Sequence, residues 1–355
     1  METRIVTIDR DHIDEEALYS AGQILKKGGL VAFPTETVYG LGGNALNGEA
    51  CKKIYVAKRR PADNPLIVHI CKIEDMYPLV ADNEAGRQSL RLAEQIAEVF
   101  WPGPLTMILP KSDKVPYEAT GGLETVSVRL PSDSIARKLI AYAGGYVAAP
   151  SANASGKPSP TLAKYVAEDM DGRIEMIIDG GEVGIGLEST IIDLTVSPPQ
   201  ILRPGYITRQ MLSDVLGQVD TDITILRADS GQIPKAPGMK YRHYAPKGDL
   251  TIVSGPRDQV VEYINNEAMK ASAEGEKVGV IGTEELLEYY RAHVVKNIGS
   301  RNDELSIAKH LYTILREFDD EAVTRIYSES FEAEGLGQAI MNRLLKAAGH
   351  KVVQL

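Results

Sequence analysis

Cysteine is scarce in this chain of 355 residues, since only Cys51 and Cys71 are present. Two cysteines are too few for the disulfide framework of a small secreted protein, and no Cys and His spacing is typical of a zinc site. Long apolar runs are also missing, because no segment approaches the roughly 20 residues that a membrane span requires. The charged N-terminus has no run typical of a secretory signal. We therefore expect a cytoplasmic protein without membrane contact.

Basic residues are also fewer than acidic residues. The chain has 39 Lys and Arg against 49 Asp and Glu, which gives a formal net charge of −10. Residues 249–355 carry 12 basic and 18 acidic residues, a net of −6. Contacts to a phosphate backbone need clustered Lys and Arg, so we expect no strong direct binding to nucleic acid. A local basic pocket in the first part of the chain stays possible.

The apolar pattern divides the chain into three parts. Residues 1–215 mix helical spacing with short strand-like runs, which indicates one mixed α/β domain. The pattern is lost over residues 216–248. Residues 249–355 alternate strands with helices, including a predicted helix over 284–291, and such alternation predicts a small parallel sheet with helices on its faces. No GxGxxG motif is present, so a dinucleotide site has no support.

A basic segment follows one predicted helix. Residues 55–65 read YVAKRRPADNP, and the two prolines favour extended backbone at the preceding Arg60 and Asn64. Lys58 and Arg60 would then lie at a bend and could converge on one anion, such as a triphosphate, whose transfer needs fixed cations. A solvated basic turn that caps a helix C-terminus explains the same residues equally well. From this segment alone both interpretations stay open.

Three other segments place polar groups beside predicted strands. Residues 150–161 (PSANASGKPSPT) could hold an anion or a sugar, or form an ordinary turn. Residues 33–43 (FPTETVYGLGG) suit recognition of a small polar ligand, or form a tight strand-to-helix turn. Arg129 lies in an apolar strand and needs a partner, which a substrate carboxylate or an internal Asp or Glu would supply equally well. His69 also lies in a predicted buried strand, where a lone histidine is more often a core residue than a ligand.

Taken together, these segments resemble the Sua5/YrdC family, the L-threonylcarbamoyladenylate synthases, over about residues 15–210. The motifs that carry the resemblance are, in order, FPTETVYGLG, KRRPADNPLIVHI, FWPGPLT, VSVRLP, APSANASGKPSPT, STIIDL and ILRPG. The sequence HYAP at residues 243–246 and the C-terminal α/β pattern indicate the longer, two-domain Sua5 type. The resemblance implies a YrdC-like twisted mixed-sheet catalytic domain followed by a smaller Rossmann-like parallel α/β domain.

The resemblance also implies an activity. Such enzymes combine L-threonine, bicarbonate or CO₂, and ATP into L-threonylcarbamoyl-AMP and release pyrophosphate. This is the first step of N6-threonylcarbamoyladenosine formation at position 37 of tRNA, and a separate complex transfers the group to the tRNA. Mg²⁺ is expected to bridge the ATP phosphates, although no set of protein ligands for it is evident.

Matching positions carry the family's binding roles onto this chain. The resemblance implies that Lys58 and Arg60 act in catalysis, and that the ATP contacts are Lys58, Arg60, Asn64, Thr125, Ser151, Asn153, Ser159, Arg203 and Tyr244. It implies that the L-threonine contacts are Thr35, His69, Arg129, Ala149 and Ser189, with Arg129 on the substrate carboxylate.

One hypothesis concerns the middle of the chain. Residues 233–247 (IPKAPGMKYRHYAPK) are rich in proline, basic and aromatic residues, so we expect them to form a lid that brings Tyr244 to the nucleotide. A stiff spacer is the alternative. Competing interpretations of the whole chain are a non-catalytic protein of the same fold that binds tRNA or double-stranded RNA, a carbamoyl-transfer domain like those of hydrogenase maturation proteins, and a structural α/β protein.

Overall fold

The computed structural model describes residues 2–222 and 243–355, which form two compact units. The first unit contains the described residues up to 222 except the short segments 156–158 and 185–187, which group with the residues from 243 onward in the second unit. The predicted boundaries, 1–215, 216–248 and 249–355, stay a prediction. Most of the hypothetical lid, residues 233–247, lies outside the described residues.

Several helices of the first unit begin directly after a capping side chain. The carboxylates of Asp14 and Asp133 and the amide oxygen of Asn47 accept hydrogen bonds from the first-turn N–H groups of the helices that follow them. The helices of this unit are α1 Glu15–Lys26, α2 Gly48–Lys58, α3 Glu84–Phe100, α4 Tyr117–Thr120, α5 Ser134–Tyr142, α6 Ala163–Met170 and α7 Arg209–Leu216.

One mixed sheet organises this unit. Its strands are β1 Arg4–Thr7, β2 Val31–Phe33, β3 Gly40–Asn44, β4 Ile67–His69, β5 Leu105–Pro110, β6 Thr125–Arg129, β7 Val147–Ala148, β8 Met176–Asp179, β9 Thr190–Asp193, β10 Gln200–Arg203 and β11 Asp220–Thr221. Their order is β1-β8-β2-β3-β7-β4-β6-β5-β9-β10-β11. Parallel pairs such as β4 with β6 adjoin antiparallel pairs such as β3 with β7.

The interior strand β2 is buried on both faces of the sheet. In β2, Val31 and Phe33 belong to an apolar cluster that includes residues of α1 and α5, whereas Ala32 belongs to a second and larger cluster. This division follows from the strand geometry, because successive side chains of a strand point to opposite faces. A strand covered on both faces reads as a continuous apolar run, as LVAF does at residues 30–33.

The second unit is a parallel sheet with helices, as the sequence predicted. Its strands are β12 Asp249–Ser254, β13 Val278–Gly282, β14 Val294–Asn297, β15 Arg325–Glu329 and β16 Val352–Gln354, and its helices are α8 Arg257–Ala273, α9 Glu304–Asp320 and α10 Gly335–Ala347. The strand order is β14-β13-β15-β12-β16, and every recorded pair is parallel. The predicted fold class is therefore confirmed. Within the described ranges, no helix has the length and apolar character to cross a membrane.

One local expectation was wrong, and the structure excludes one alternative that the sequence left open. The helix predicted over residues 284–291 is only a short 3₁₀ turn at Leu287–Tyr289. The glycine-rich part of residues 33–43 does not lead into a helix but forms β3, which pairs antiparallel with β2. Glycine permits that pairing, because a Cβ on Gly42 would lie 2.9 Å from the Phe33 ring.

Helix α1 packs on α5 through a glycine, and this contact gives a stability prediction. A Cβ on Gly22 would lie 2.5 Å from the Cβ of Tyr142. Gly22→Ala should therefore lower the free energy of unfolding by about 1–3 kcal/mol, because the two helices must separate to relieve the clash. Urea unfolding measures the change. The matched control is Glu16→Ala at an exposed position of α1, and equal stability of the two variants would contradict the packing described.

Candidate active site

Lys58 is almost completely buried at the C-terminal end of α2, where its side chain is 1% exposed. The helix ends at Arg59, whose φ of 53° is left-handed, so the chain turns away directly after Lys58. The Lys58 ammonium group donates to the backbone carbonyls of Ser151 and Asn153. In return, the N–H of Ser155 donates to the Lys58 carbonyl at 2.9 Å. The structure thus joins two of the motifs recognised in the sequence.

Arg60 points to a different set of oxygen atoms. Its guanidinium donates to the backbone carbonyl of Asn64 at 3.1 Å, to the carbonyl of Pro65 at 3.0 Å and to the side-chain oxygen of Asn64. Asn64 itself is buried, at 1% exposure. Lys58 and Arg60 therefore have separate partners among these segments, and their convergence on a single anion stays a prediction.

The loop after β7 carries the predicted nucleotide contacts. Ser151 forms an isolated antiparallel bridge with Gly40 at the start of β3, and its hydroxyl donates to the side-chain oxygen of Asn153. Further along, the hydroxyl of Ser159 donates to the Glu188 carboxylate at 2.6 Å, and both residues are buried. The hydroxyl and amide groups that the sequence singled out are thus held by side-chain hydrogen bonds.

His69 and Arg129 lie side by side, because β4 and β6 pair in parallel with these residues in register. Both are buried, at 3% and 4% exposure. On the other side of β4, Val147 of β7 pairs with His69, and the N–H of Ala149 donates to the Ile67 carbonyl at 2.9 Å. Three of the predicted threonine contacts, His69, Arg129 and Ala149, therefore come from adjacent strands.

Burial decides the ionisation of His69. Removal from water and, to a smaller extent, the neighbouring Arg129 guanidinium lower the pKa of His69 to about 3, although a hydrogen bond to the Ile67 carbonyl opposes both effects. The ring is therefore neutral near pH 7. The distance from Nδ1 to the Ile67 carbonyl oxygen is 3.1 Å. A carbonyl oxygen can only accept, so Nδ1 carries the proton and Nε2 presents a lone pair.

The partner of Arg129 is an internal carboxylate. Nη2 of Arg129 lies 2.7 Å from Oε1 of Glu36, and the side chains are 5% and 14% exposed. Glu36 comes from the connection between β2 and β3, inside the motif FPTETVYGLG. The sequence left a substrate carboxylate and an internal acid equally possible, and the structure supplies the internal acid.

Ser189 and Arg203 form one buried group with Thr106. The Ser189 hydroxyl lies 2.7 Å from the Thr106 hydroxyl. The Arg203 guanidinium donates to the Ser189 carbonyl at 3.0 Å and to its hydroxyl at 3.1 Å. Thr106 also pairs with Arg129 across β5 and β6. The predicted threonine contact Ser189 and the predicted nucleotide contact Arg203 are therefore direct neighbours.

The remaining predicted contacts are dispersed. The hydroxyl of Thr35 lies 2.8 Å from that of Thr37 and donates to the Val38 carbonyl at 2.7 Å, in the connection that also carries Glu36. Thr125 begins β6, whereas Arg129 ends it. Tyr244 belongs to the second unit, where its ring centroid lies 5.1 Å from that of Tyr312.

Among the described residues, no group of three or more His, Cys, Asp or Glu side chains could hold a metal ion. The same residues do offer the buried cations and hydroxyls described above.

Comparison with known proteins decides which family this site belongs to. A family model described as "Telomere recombination", covering Sua5, YciO and YrdC proteins, matches residues 23–205, and one described as "Threonylcarbamoyl-AMP synthase, C-terminal domain" matches residues 207–349. The threonylcarbamoyl-AMP synthase of Pyrococcus abyssi is 48% identical over 98% of this chain and 98% of its own length. That of Bacillus subtilis is 45% identical over 96% and 95%. The chain belongs to the Sua5/YrdC family of threonylcarbamoyl-AMP synthases.

A solved structure supports the same conclusion. The crystal structure of P. abyssi Sua5 complexed with L-threonine matches this chain with a TM-score of 0.93 and 47% identity, covering 99% of this chain and 100% of that one. The resemblance seen in the sequence motifs and the two-domain form are confirmed. The chain is an enzyme of the Sua5/YrdC family, so the interpretations as a structural protein or as a non-catalytic RNA-binding protein lose their support.

Sequence reasoning missed Glu36, Thr106 and Glu188. Glu36 lies between the two threonines of TET, and the sequence interpretation used only the hydroxyls and the glycine backbone of that motif. A signal was present, since a buried Arg129 demands an acid, but only strand pairing shows which acid meets it. Thr106 and Glu188 had no such signal, because isolated hydroxyl and carboxylate residues are common in any sequence.

The low pKa of His69 gives a pH prediction. The unfolded chain gains a proton on this ring below its ordinary pKa of 6.5, whereas the folded protein resists protonation down to about pH 3. The contribution of the neutral His69 ring to the free energy of unfolding is therefore fully present above pH 6.5 and decreases as the pH falls toward 3. Relative to His69→Gln, the native chain should lose about 1.4 kcal/mol per pH unit in that window. Urea unfolding from pH 7.5 to 4.5 measures this difference, and parallel curves for the two proteins would contradict it.

Proposed function

We propose that this chain synthesises L-threonylcarbamoyl-AMP from L-threonine, bicarbonate or CO₂, and ATP, with release of pyrophosphate. The observation that carries the proposal is the full-length similarity to synthases of that name, 48% identity over 98% of both chains. The solved relative with L-threonine bound adds support for threonine as the amino acid. The product would enter the formation of N6-threonylcarbamoyladenosine at position 37 of tRNA.

The threonine subsite of this proposal is the group of residues around β4 and β6. Arg129 provides a buried guanidinium for the carboxylate, and the neutral His69 provides a lone pair at Nε2 that can accept a hydrogen bond from the substrate. The hydroxyls of Thr35 and Ser189 can donate to or accept from the substrate hydroxyl, and the backbone at Ala149 completes the subsite. Strand pairing sets His69 beside Arg129, and Thr106 links Arg129 to Ser189, which supports a common subsite for these groups.

The ATP subsite would use the groups on α2 and on the loop after β7. Lys58, Arg60 and Asn64 would bind the triphosphate, where fixed cations lower the cost of charge build-up. The nucleotide would be held by the remaining proposed contacts, Thr125, Ser151, Asn153, Ser159, Arg203 and Tyr244. Mg²⁺ would enter with ATP, bound to phosphate oxygens, and would neutralise part of their charge.

The reaction needs no nucleophile from the protein. The α-ammonium group of threonine first gives one proton to water, and the resulting amine then forms a bond to the carbon of CO₂ and loses a second proton, which gives a carbamate. A carbamate oxygen then attacks the α-phosphorus of ATP, the bond to the bridging oxygen breaks, and pyrophosphate leaves. The protein would hold the three reactants in line and keep water from the carbamate.

The product must leave the enzyme intact. A separate tRNA threonylcarbamoyl-transfer complex would receive L-threonylcarbamoyl-AMP, and the net charge of −10 suits an enzyme that does not itself bind tRNA strongly. Use of ATP and bicarbonate suits a cytoplasmic location.

Pyrophosphate release tests the proposed activity. Purified protein with ATP, Mg²⁺, L-threonine and bicarbonate should release pyrophosphate, and omission of threonine or bicarbonate should abolish the release. Lys58→Ala and Arg60→Ala should each lower the rate by about a hundredfold or more, because each removes a fixed cation from the triphosphate. Release at the same rate without threonine would overturn the substrate assignment.

A matched control separates catalysis from general damage to α2. Lys52→Ala removes an exposed lysine of the same helix, with a side chain 54% exposed, and should leave the rate unchanged. Thermal unfolding of all variants shows whether Lys58→Ala still folds after losing its two carbonyl partners. A folded Lys58→Ala variant with the rate of Lys52→Ala would contradict a role for Lys58 in the reaction.

A further inference from the structure

The ion pair between Arg129 and Glu36 is incomplete. Although Nη2 and Oε1 are 2.7 Å apart, the N–H groups do not point at the oxygen, so the contact is not a hydrogen bond. Within the described part of the chain, neither carboxylate oxygen of Glu36 and neither Nε nor Nη2 of Arg129 makes any hydrogen bond. Two donors and two acceptors are therefore buried side by side without hydrogen-bond partners.

Such an arrangement is costly for a folded protein. Buried charges normally complete their hydrogen bonds, because a desolvated donor or acceptor without a partner loses the bonds it made to water. The pairing in this structure brings opposite charges together but leaves hydrogen-bond donors of Arg129 and acceptors of Glu36 without partners. A ligand that brings two acceptors to Arg129 and donors to Glu36 would complete these hydrogen bonds.

A zwitterionic α-amino acid has the required groups. Its carboxylate offers two acceptors and its ammonium offers three donors, and both are attached to the same carbon atom. We propose that Glu36 is a substrate-binding residue that accepts hydrogen bonds from the α-ammonium group of threonine, while Arg129 binds the α-carboxylate. This inference rests on the proposed function, which supplies threonine as the substrate.

The neighbouring groups agree with this assignment. Thr35 precedes Glu36 in the chain, and its hydroxyl is already held by Thr37 and Val38, which fixes the connection that carries the carboxylate. His69 beside Arg129 is neutral near pH 7, whereas the Glu36 carboxylate lies 2.7 Å from the guanidinium and supplies the negative charge. Arginine alone would accept any small carboxylate. Glu36 adds selection for a positively charged nitrogen next to that carboxylate.

Three ligands separate the two charges of the substrate. L-Threonine has both, 2,3-dihydroxybutanoate of the same stereochemistry replaces the ammonium by a hydroxyl, and L-threoninol replaces the carboxylate by a hydroxymethyl group. Isothermal titration calorimetry of the full chain should show that threonine binds more tightly than either analogue. Glu36→Gln should weaken threonine binding by about tenfold to a hundredfold and should remove the preference for threonine over 2,3-dihydroxybutanoate.

Two further variants make the test decisive. Glu16→Gln, at an exposed position, should bind all three ligands as the native chain does. Glu36→Asp keeps the charge beside Arg129 but shortens the side chain, so it should weaken threonine binding and leave 2,3-dihydroxybutanoate unaffected. If Glu36→Gln does not fold, the result with Glu36→Asp decides.

The outcomes also separate this inference from the proposed function. If the native protein binds threonine and both Glu36 variants keep the preference for threonine, the role of Glu36 is overturned but the proposed function is not. Native protein that shows neither threonine binding nor threonine-dependent pyrophosphate release would overturn the proposed function, and the role of Glu36 with it.

Discussion

A buried positive charge at the end of β6 is the constraint on which the candidate site depends. Arg129 lies in a strand with neighbours on both sides, and a guanidinium in such a place requires a negative partner. Glu36 supplies that partner from the connection between β2 and β3, which is separated from β6 in the sheet by β3, β7 and β4. The strand pairing sets His69 and Thr106 beside Arg129. The register of the sheet therefore concentrates polar groups at one place.

A second buried cation organises the neighbouring loop. Lys58 ends α2 and holds two carbonyls of the loop that follows β7, while β7 itself pairs with the strand that carries His69. Two proposed nucleotide contacts, Ser151 and Asn153, and the proposed threonine contact His69 are consequently attached to neighbouring strands. This connection gives a physical reason why an enzyme of this family could bring an amino acid and a nucleotide together, because the groups are positioned by the fold before any ligand arrives.

Much of the architecture could be predicted from the sequence, because its signals are local. The buried run at 30–33 and the strict alternation after residue 249 identify their elements without reference to distant residues. The strand β3 was not identifiable, since a glycine-rich segment has no apolar alternation and depends on its partner β2. The same limit applies to the site. The sequence shows that Arg129 needs an acid, but 49 acidic residues compete, and only long-range pairing selects Glu36.

The most direct test of this account is the identity of the product made with ¹³C-labelled bicarbonate. The enzyme, with ATP, Mg²⁺ and L-threonine, should yield threonylcarbamoyl-AMP, and mass spectrometry should find it heavier by one mass unit when the bicarbonate is labelled. The label should remain on the fragment that contains threonine. An adenylate of threonine without the label, or pyrophosphate release with no adenylate of either kind, would contradict the proposal that this chain joins all three substrates.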